Sequence, residues 1–102
     1  MTVLMDFRDR SIRLTKERQK HIANEDDPAE WKREIGEALK NPDEVHETLH
    51  HPELRLFYRI YAKFVDQDRQ FYVMVKVRGF DMLVISAFYG NGFTWKDSDG
   101  KA

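Results

Sequence analysis

The chain has 102 residues, 41% of them hydrophobic, which is enough for one domain with one compact core. Its net charge is only −1 although 34% of its residues are charged, so overall charge alone does not make it a binder of polyanions. The absence of cysteine excludes disulfide bonds and thiolate metal sites, and it fits a reducing compartment.

The charges are distributed unevenly along the chain. Residues 1–23 carry a net charge of +3, residues 24–53 carry −7, residues 54–80 carry +4 and residues 81–102 carry −1. We therefore expect any anion-binding surface to come from the first and third of these segments. The sequence has neither an apolar leader nor a run of membrane-spanning length, which predicts a soluble cytoplasmic protein without a membrane partner.

Two short strand-like runs at the start of the chain, residues 2–7 and 11–15, predict a small hairpin. A short polar helix is expected to follow it. Thr15 is suited to cap this helix, because its hydroxyl can accept from the free N–H groups of the first turn. The helix is predicted to end near Asn24.

The second helix has a clearer beginning. Asp27 is the expected N-cap, Pro28 occupies the first helical position and Glu30 follows three residues after the cap. The apolar residues of this helix recur at helical spacing and share one face, which is predicted to bury Trp31, Ile35, Ala38 and Leu39.

Three β-forming segments, residues 54–64, 70–77 and 82–89, are joined by short turns and predict an antiparallel meander. A weaker strand is predicted at residues 43–49. The expected domain spans residues 1–95 and is of the α+β class, with two N-terminal helices packed on one face of a four-stranded antiparallel sheet. A disordered C-terminal tail is predicted for residues 96–102.

Alternation with period two separates the faces of the first two long strands. We expect the face from Leu54 to Phe64 and the face from Phe71 to Val77 to pack on the second helix. The opposite faces would then form one basic surface interleaved with rings, made of Arg55, Phe57, Arg59, Tyr61, Lys63, Tyr72, Lys76 and Arg78. Such a surface suits single-stranded nucleic acid, because cations hold phosphates and bases stack on rings. The alternative is a solvent face whose cations only prevent aggregation.

The order of these motifs resembles a known family. The runs LTKERQKHI, KNPDEV, LFYRIY, FYVMVKV and LVISAFYG are similar to those of the BECR-fold nucleases of phages and mobile elements, a family named for barnase, EndoU, colicin and RelE. The resemblance extends from Arg13 to Tyr89. It implies a small RNase-like fold that cleaves RNA without a metal ion or cofactor.

The resemblance implies five catalytic residues: His21, Arg59, Lys76, Ser86 and Tyr89. His21 would act as base or acid, because imidazole titrates near neutral pH. Arg59 and Lys76 would hold the phosphate, and Ser86 and Tyr89 would donate hydrogen bonds to its oxygens, leaving a 2′,3′-cyclic phosphate product. The alternative for His21 is a helix-end residue that is hydrogen-bonded to a carbonyl. The candidate RNA-binding residues are Arg55, Tyr61, Lys63, Tyr72 and Arg78.

A second group of imidazoles raises the alternative of a metal site: His46, His50 and His51. Zinc ligands usually converge from separated elements, whereas His50 and His51 are adjacent and precede a proline. We therefore interpret this segment as a polar turn and predict no metal, although His46 or His51 could serve as a second acid–base group.

These observations favour a small metal-independent endoribonuclease of the toxin-like or phage-associated type. Its expected partners are RNA and an inhibitory, antitoxin-like protein. The first alternative is a non-catalytic RNA- or protein-binding module on the same scaffold. The second is an interaction protein whose acidic second helix forms the contact surface. The oligomeric state does not follow from the sequence.

Overall fold

The computed structural model describes residues 2–23, 28–66 and 68–90, without the side chains of residues 23, 28 and 49–52. In this part of the chain the elements are β1 Thr2–Met5, β2 Ser11–Leu14, α1 Lys16–Ala23, α2 Pro28–Lys40, β3 Glu44–His51, a 3₁₀ helix Pro52–Leu54, β4 Leu56–Asp66, β5 Arg69–Arg78 and β6 Asp81–Gly90. Neither of the described helices has the length and apolar composition needed to cross a membrane.

Both predicted helices are confirmed. Thr15 caps α1, since its hydroxyl accepts from the backbone N–H of Arg18 at 3.1 Å. Three residues of the predicted apolar face of α2 are buried, with Ile35, Ala38 and Leu39 fully inaccessible, whereas Trp31 is only partly buried. The predicted cap Asp27 and the predicted tail lie outside the described residues.

The prediction of a four-stranded antiparallel sheet is wrong. The strands form one six-stranded mixed sheet in the order β1-β2-β6-β5-β4-β3. Strands β3 to β6 form the expected antiparallel meander, whereas β1 and β2 form a hairpin that joins the sheet through a parallel pairing of β2 with β6. Parallel pairing requires a long crossover, and the elements from α1 to β5 supply it. A bidentate ion pair links the two strands, since Arg13 donates to the Asp81 carboxylate from Nε at 3.0 Å and from Nη2 at 2.7 and 2.9 Å.

The two helices cover one side of the sheet, and the main core lies between these layers. The register of β4 and β5 places Tyr61 opposite Val73 and Arg59 opposite Val75. Directly opposite residues of an antiparallel pair point to the same side, so the odd-numbered residues of both strands face the helices. The predicted face assignment of β4 is therefore wrong, because its even-numbered, more apolar residues face away. We call the side of the sheet that faces away from the helices the outer face.

A buried carboxylate fixes the β1–β2 loop to the core. Asp6 is fully buried, and its carboxylate accepts from the backbone N–H groups of Arg8 and Arg10, both at 2.9 Å. The Arg10 Nε and the Tyr61 hydroxyl donate to its other oxygen at 2.8 and 2.7 Å. The backbone N–H of Phe7 also donates to the Leu39 carbonyl at 2.9 Å, so the loop satisfies an end carbonyl of α2.

We expect the substitution Asp6→Asn to lower the free energy of unfolding at neutral pH by about 2–4 kcal/mol, because a buried amide cannot accept all four hydrogen bonds. Burial raises the pKa of Asp6, but the hydrogen bonds from Arg10, Tyr61 and Arg8 outweigh burial and hold the pKa below its ordinary 3.8. Stabilisation by the ionised form is thus present above pH 3.8 and lost as pH falls through the lower, folded pKa. The variant should consequently lose less stability on acidification than the wild type.

Urea unfolding at several pH values measures both effects. The matched control is Asp9→Asn in the same loop, since the Asp9 side chain is 83% exposed and lies 3.9 Å from Lys40. The control should keep the wild-type stability and acid response. Equal behaviour of the two variants would contradict the role of Asp6.

Candidate functional site

The outer face of β4, β5 and β6 has a small apolar floor. Ile60, Ala62 and Tyr72 form this floor and are almost fully buried. Met74 and Phe88 pack against it, and the Phe88 ring lies 5.3 Å from the Tyr72 ring. Close packing of the floor restricts the side chains around it, so the face presents a preformed surface.

Two cations lie on the outer face near the β5–β6 turn. Lys76 is directly opposite Tyr58 of β4, and Arg78 is directly opposite Asp81 of β6. The carboxylate of Asp81 is engaged by Arg13 at 2.7 Å. Lys76 and Arg78 are exposed, and neither forms an ion pair with any residue that the structure describes. Both ammonium and guanidinium are therefore available to an anionic ligand.

A β-bulge in β6 determines the side on which Ser86 lies. Met74 pairs with Ser86 but Val75 pairs with Val84, so Ile85 is an extra residue in the strand. Val84 thereby stays in the core, and Ser86 lies on the outer face beside Met74. Periodicity alone could not assign these faces, because the bulge interrupts the alternation.

Arg59 lies in the core with only 5% of its surface exposed. Its Nε donates to the Glu47 carboxylate at 2.8 Å, its Nη1 donates to the Tyr61 hydroxyl at 3.5 Å, and its guanidinium lies 5.4 Å from the centre of the Phe57 ring. Burial lowers the pKa of Arg59, but hydrogen bonds with Tyr61 and Glu47 outweigh burial and raise it. Arg59 is therefore a buried, permanently charged partner of core residues.

The predicted RNA-binding residues are divided between the two sides of the sheet. Tyr61 is buried on the helix side, and the Lys63 ammonium donates to a backbone carbonyl just after α2 at 2.9 Å. Tyr72 belongs to the outer face but is buried there, and its hydroxyl donates to the Gln70 side-chain carbonyl. Arg78 is exposed on the outer face. Arg55 is exposed just before β4, with a left-handed φ of 53°.

The catalytic candidates His21 and Tyr89 lie on the helix side. His21 is exposed on α1 and lines a surface cavity of about 200 Å³ with Glu17 and Arg18. The Tyr89 ring packs against the indole of α2, and the Arg69 guanidinium lies 4.3 Å from its centre. Burial is the main cause that raises the pKa of Tyr89, so its hydroxyl stays protonated and can donate.

The five catalytic candidates therefore do not share one surface. Lys76 and Ser86 lie on the outer face, whereas His21, Arg59 and Tyr89 lie on the helix side. The thickness of the sheet separates Arg59 from Lys76, and Arg59 is also covered by core side chains. In this arrangement one phosphate group cannot contact both cations.

The predicted imidazole group is described only in part. His46 is half-buried on β3, and its Nε2 lies 3.5 Å from the Glu44 carboxylate. The side chains of His50 and His51 lie outside the described part of the chain. Among the side chains that are described, no three metal-ligating residues form a group that could hold a metal ion.

Sequence reasoning did not single out three residues that shape this region. Asp6 is the buried acidic partner of Tyr61, and the half-exposed Glu47 is the acidic partner of Arg59. Neither contact has a local signal in the sequence, because the paired residues are 55 and 12 positions apart. Phe80 is fully exposed in the β5–β6 turn. The sequence does show a large apolar residue in a two-residue turn, and this pattern could have identified Phe80 as an exposed ring.

Comparisons with known protein families, with curated proteins and with solved structures found no match. The similarity to the BECR-fold nucleases consequently stays a hypothesis that depends on the short motifs alone.

Proposed function

We propose that the protein is a binding module for single-stranded RNA and that it binds RNA on the outer face around Lys76 and Arg78. The observation that carries this proposal is the register of β4, β5 and β6. It places Tyr58 and both cations on one side of the sheet. Neither cation is neutralised by a described acidic residue, so the surface can exchange counterions for phosphates.

The spacing on β5 suits an extended backbone. Lys76 and Arg78 are two residues apart on the same face, which corresponds to about 7 Å along a strand. Each can contact a separate phosphate of one strand, Lys76 as a point charge and Arg78 through two donors. Tyr58 and Phe88 supply rings on the same face, and Ser86 supplies a hydroxyl.

The helices cover the other side of the sheet. A strand that contacts both Lys76 and Arg78 must therefore approach the outer face. Unpaired bases are required, because rings on a sheet can stack only with bases that are not already stacked within a duplex.

The metal-independent endonuclease is a second proposal. The observation that favours it is the exposure of His21 beside Arg18 on α1, together with the motif resemblance. The geometry supports it less than it supports the binding module, because Lys76 lies on the far side of the sheet from His21.

We expect a fluorescein-labelled single-stranded RNA of about 12 nucleotides to bind with an affinity that falls as salt is added. The double substitution Lys76→Ala with Arg78→Ala should weaken binding about tenfold or more at low salt. It should also flatten the slope of log K against log salt by about 1.4, which is the loss of two phosphate contacts to a single strand. Fluorescence anisotropy measures both quantities.

The matched control is Lys32→Ala with Arg33→Ala, which removes the same charge from exposed positions of α2. This control should keep the wild-type affinity and slope. Equal weakening by the two double variants, or binding that does not respond to salt, would rule out the outer face as the RNA site.

The nuclease proposal predicts cleavage of RNA in EDTA, a 2′,3′-cyclic phosphate end, and loss of cleavage in His21→Ala. Lys32→Ala, at an exposed position of α2, is the control that should keep the activity. Arg59→Ala is unsuitable as a catalytic probe, because it removes a buried side chain that packs on Phe57 and donates to the Tyr61 hydroxyl, so a loss of activity could reflect a loss of stability. Intact RNA after prolonged incubation, or cleavage that survives His21→Ala, would count against this proposal.

A further inference from the structure

Phe80 is the most exposed large hydrophobic side chain that the structure describes, with 102% of its reference surface accessible. It occupies the two-residue turn between Arg78 and Asp81, after Gly79. Gly79 has a φ of +62°, as a type II′ turn requires at its first central position. The turn geometry therefore holds Phe80 at the tip of the hairpin.

Two cationic residues lie near this tip. Arg78 immediately precedes the turn on the outer face, and Leu56 of β4 lies directly opposite it. Arg55, which precedes Leu56, is exposed at the same end of the sheet. The nearby carboxylate of Asp81 already accepts three hydrogen bonds from Arg13.

We propose that Phe80 stacks one unpaired nucleobase and extends the RNA site from the outer face over the β5–β6 turn. This inference rests on the proposed RNA-binding function. It is argued from the continuity of Phe80 with Arg78 and Lys76 and from the positive charge around the ring. Arg78 and Arg55 contact the phosphates on the two sides of the stacked base. Stacking of a base on an exposed ring is tolerant of sequence, so the tip accepts any nucleotide.

The ring at position 80 can be removed without loss of core packing, because it contacts solvent on all sides. We expect Phe80→Ala to keep the wild-type melting temperature and to weaken binding of a single-stranded RNA about tenfold in anisotropy titrations. Phe80→Trp should keep the affinity, and its additional tryptophan emission should be quenched when RNA binds. The matched control is Phe64→Ala, which removes an exposed ring from the other end of β4 and should have a smaller effect.

The outcomes separate this inference from the function on which it rests. Failure of the wild type to bind RNA overturns both. Wild-type binding that depends on Lys76 and Arg78 but is unchanged in Phe80→Ala overturns the inference alone, and the exposed ring then suits an apolar pocket of a protein partner. Weakening of Phe80→Ala with rescue by Phe80→Trp supports stacking.

Discussion

The hydrogen bond from the Tyr61 hydroxyl to the Asp6 carboxylate, at 2.7 Å, is the contact on which the rest of the arrangement depends. It joins the β1–β2 loop to the centre of β4 across 55 residues of sequence. A buried tyrosine needs a partner for its hydroxyl, and a buried carboxylate needs several donors. Burial raises the pKa of Tyr61 to about 12, so the hydroxyl remains a donor at any physiological pH.

The same contact decides which chemistry is available on each side of the sheet. Because Tyr61 faces the helices, its neighbour Arg59 on the same side is also buried, and the half-exposed Glu47 at the edge of the sheet balances its charge. The cations of β5 belong to the other side. The basic residues that alternation in the sequence predicts on one surface therefore lie on two sides of the sheet. Of the predicted cations on β4 and β5, only Lys76 and Arg78 lie on the outer face. This division is the reason that we propose a surface that binds a polyanion rather than a compact catalytic centre.

The elements of this fold could be predicted because their signals are local. Pro28 and the apolar spacing define α2, and short turns define the meander of β4 to β6. The faces of β4 could not be predicted, because polarity alone favours burial of its even-numbered side, whereas two distant acids make burial of Tyr61 and Arg59 possible. The position of Ser86 depends on a bulge that alternation cannot reveal. The pairing of β2 with β6 could not be predicted either, because the two strands are distant in sequence. The ion pair between them, from Arg13 to Asp81, spans 68 positions.

A double-mutant cycle on Tyr61→Phe and Asp6→Asn tests the central contact most directly. Unfolding free energies of the wild type, the two single variants and the double variant give the coupling between the two side chains. A buried hydrogen bond to a charged group predicts a coupling of about 1.5–3 kcal/mol, with the double variant less destabilised than the sum of the single variants. Additivity within about 0.5 kcal/mol would contradict the account, because Tyr61 and Asp6 would then not be in contact.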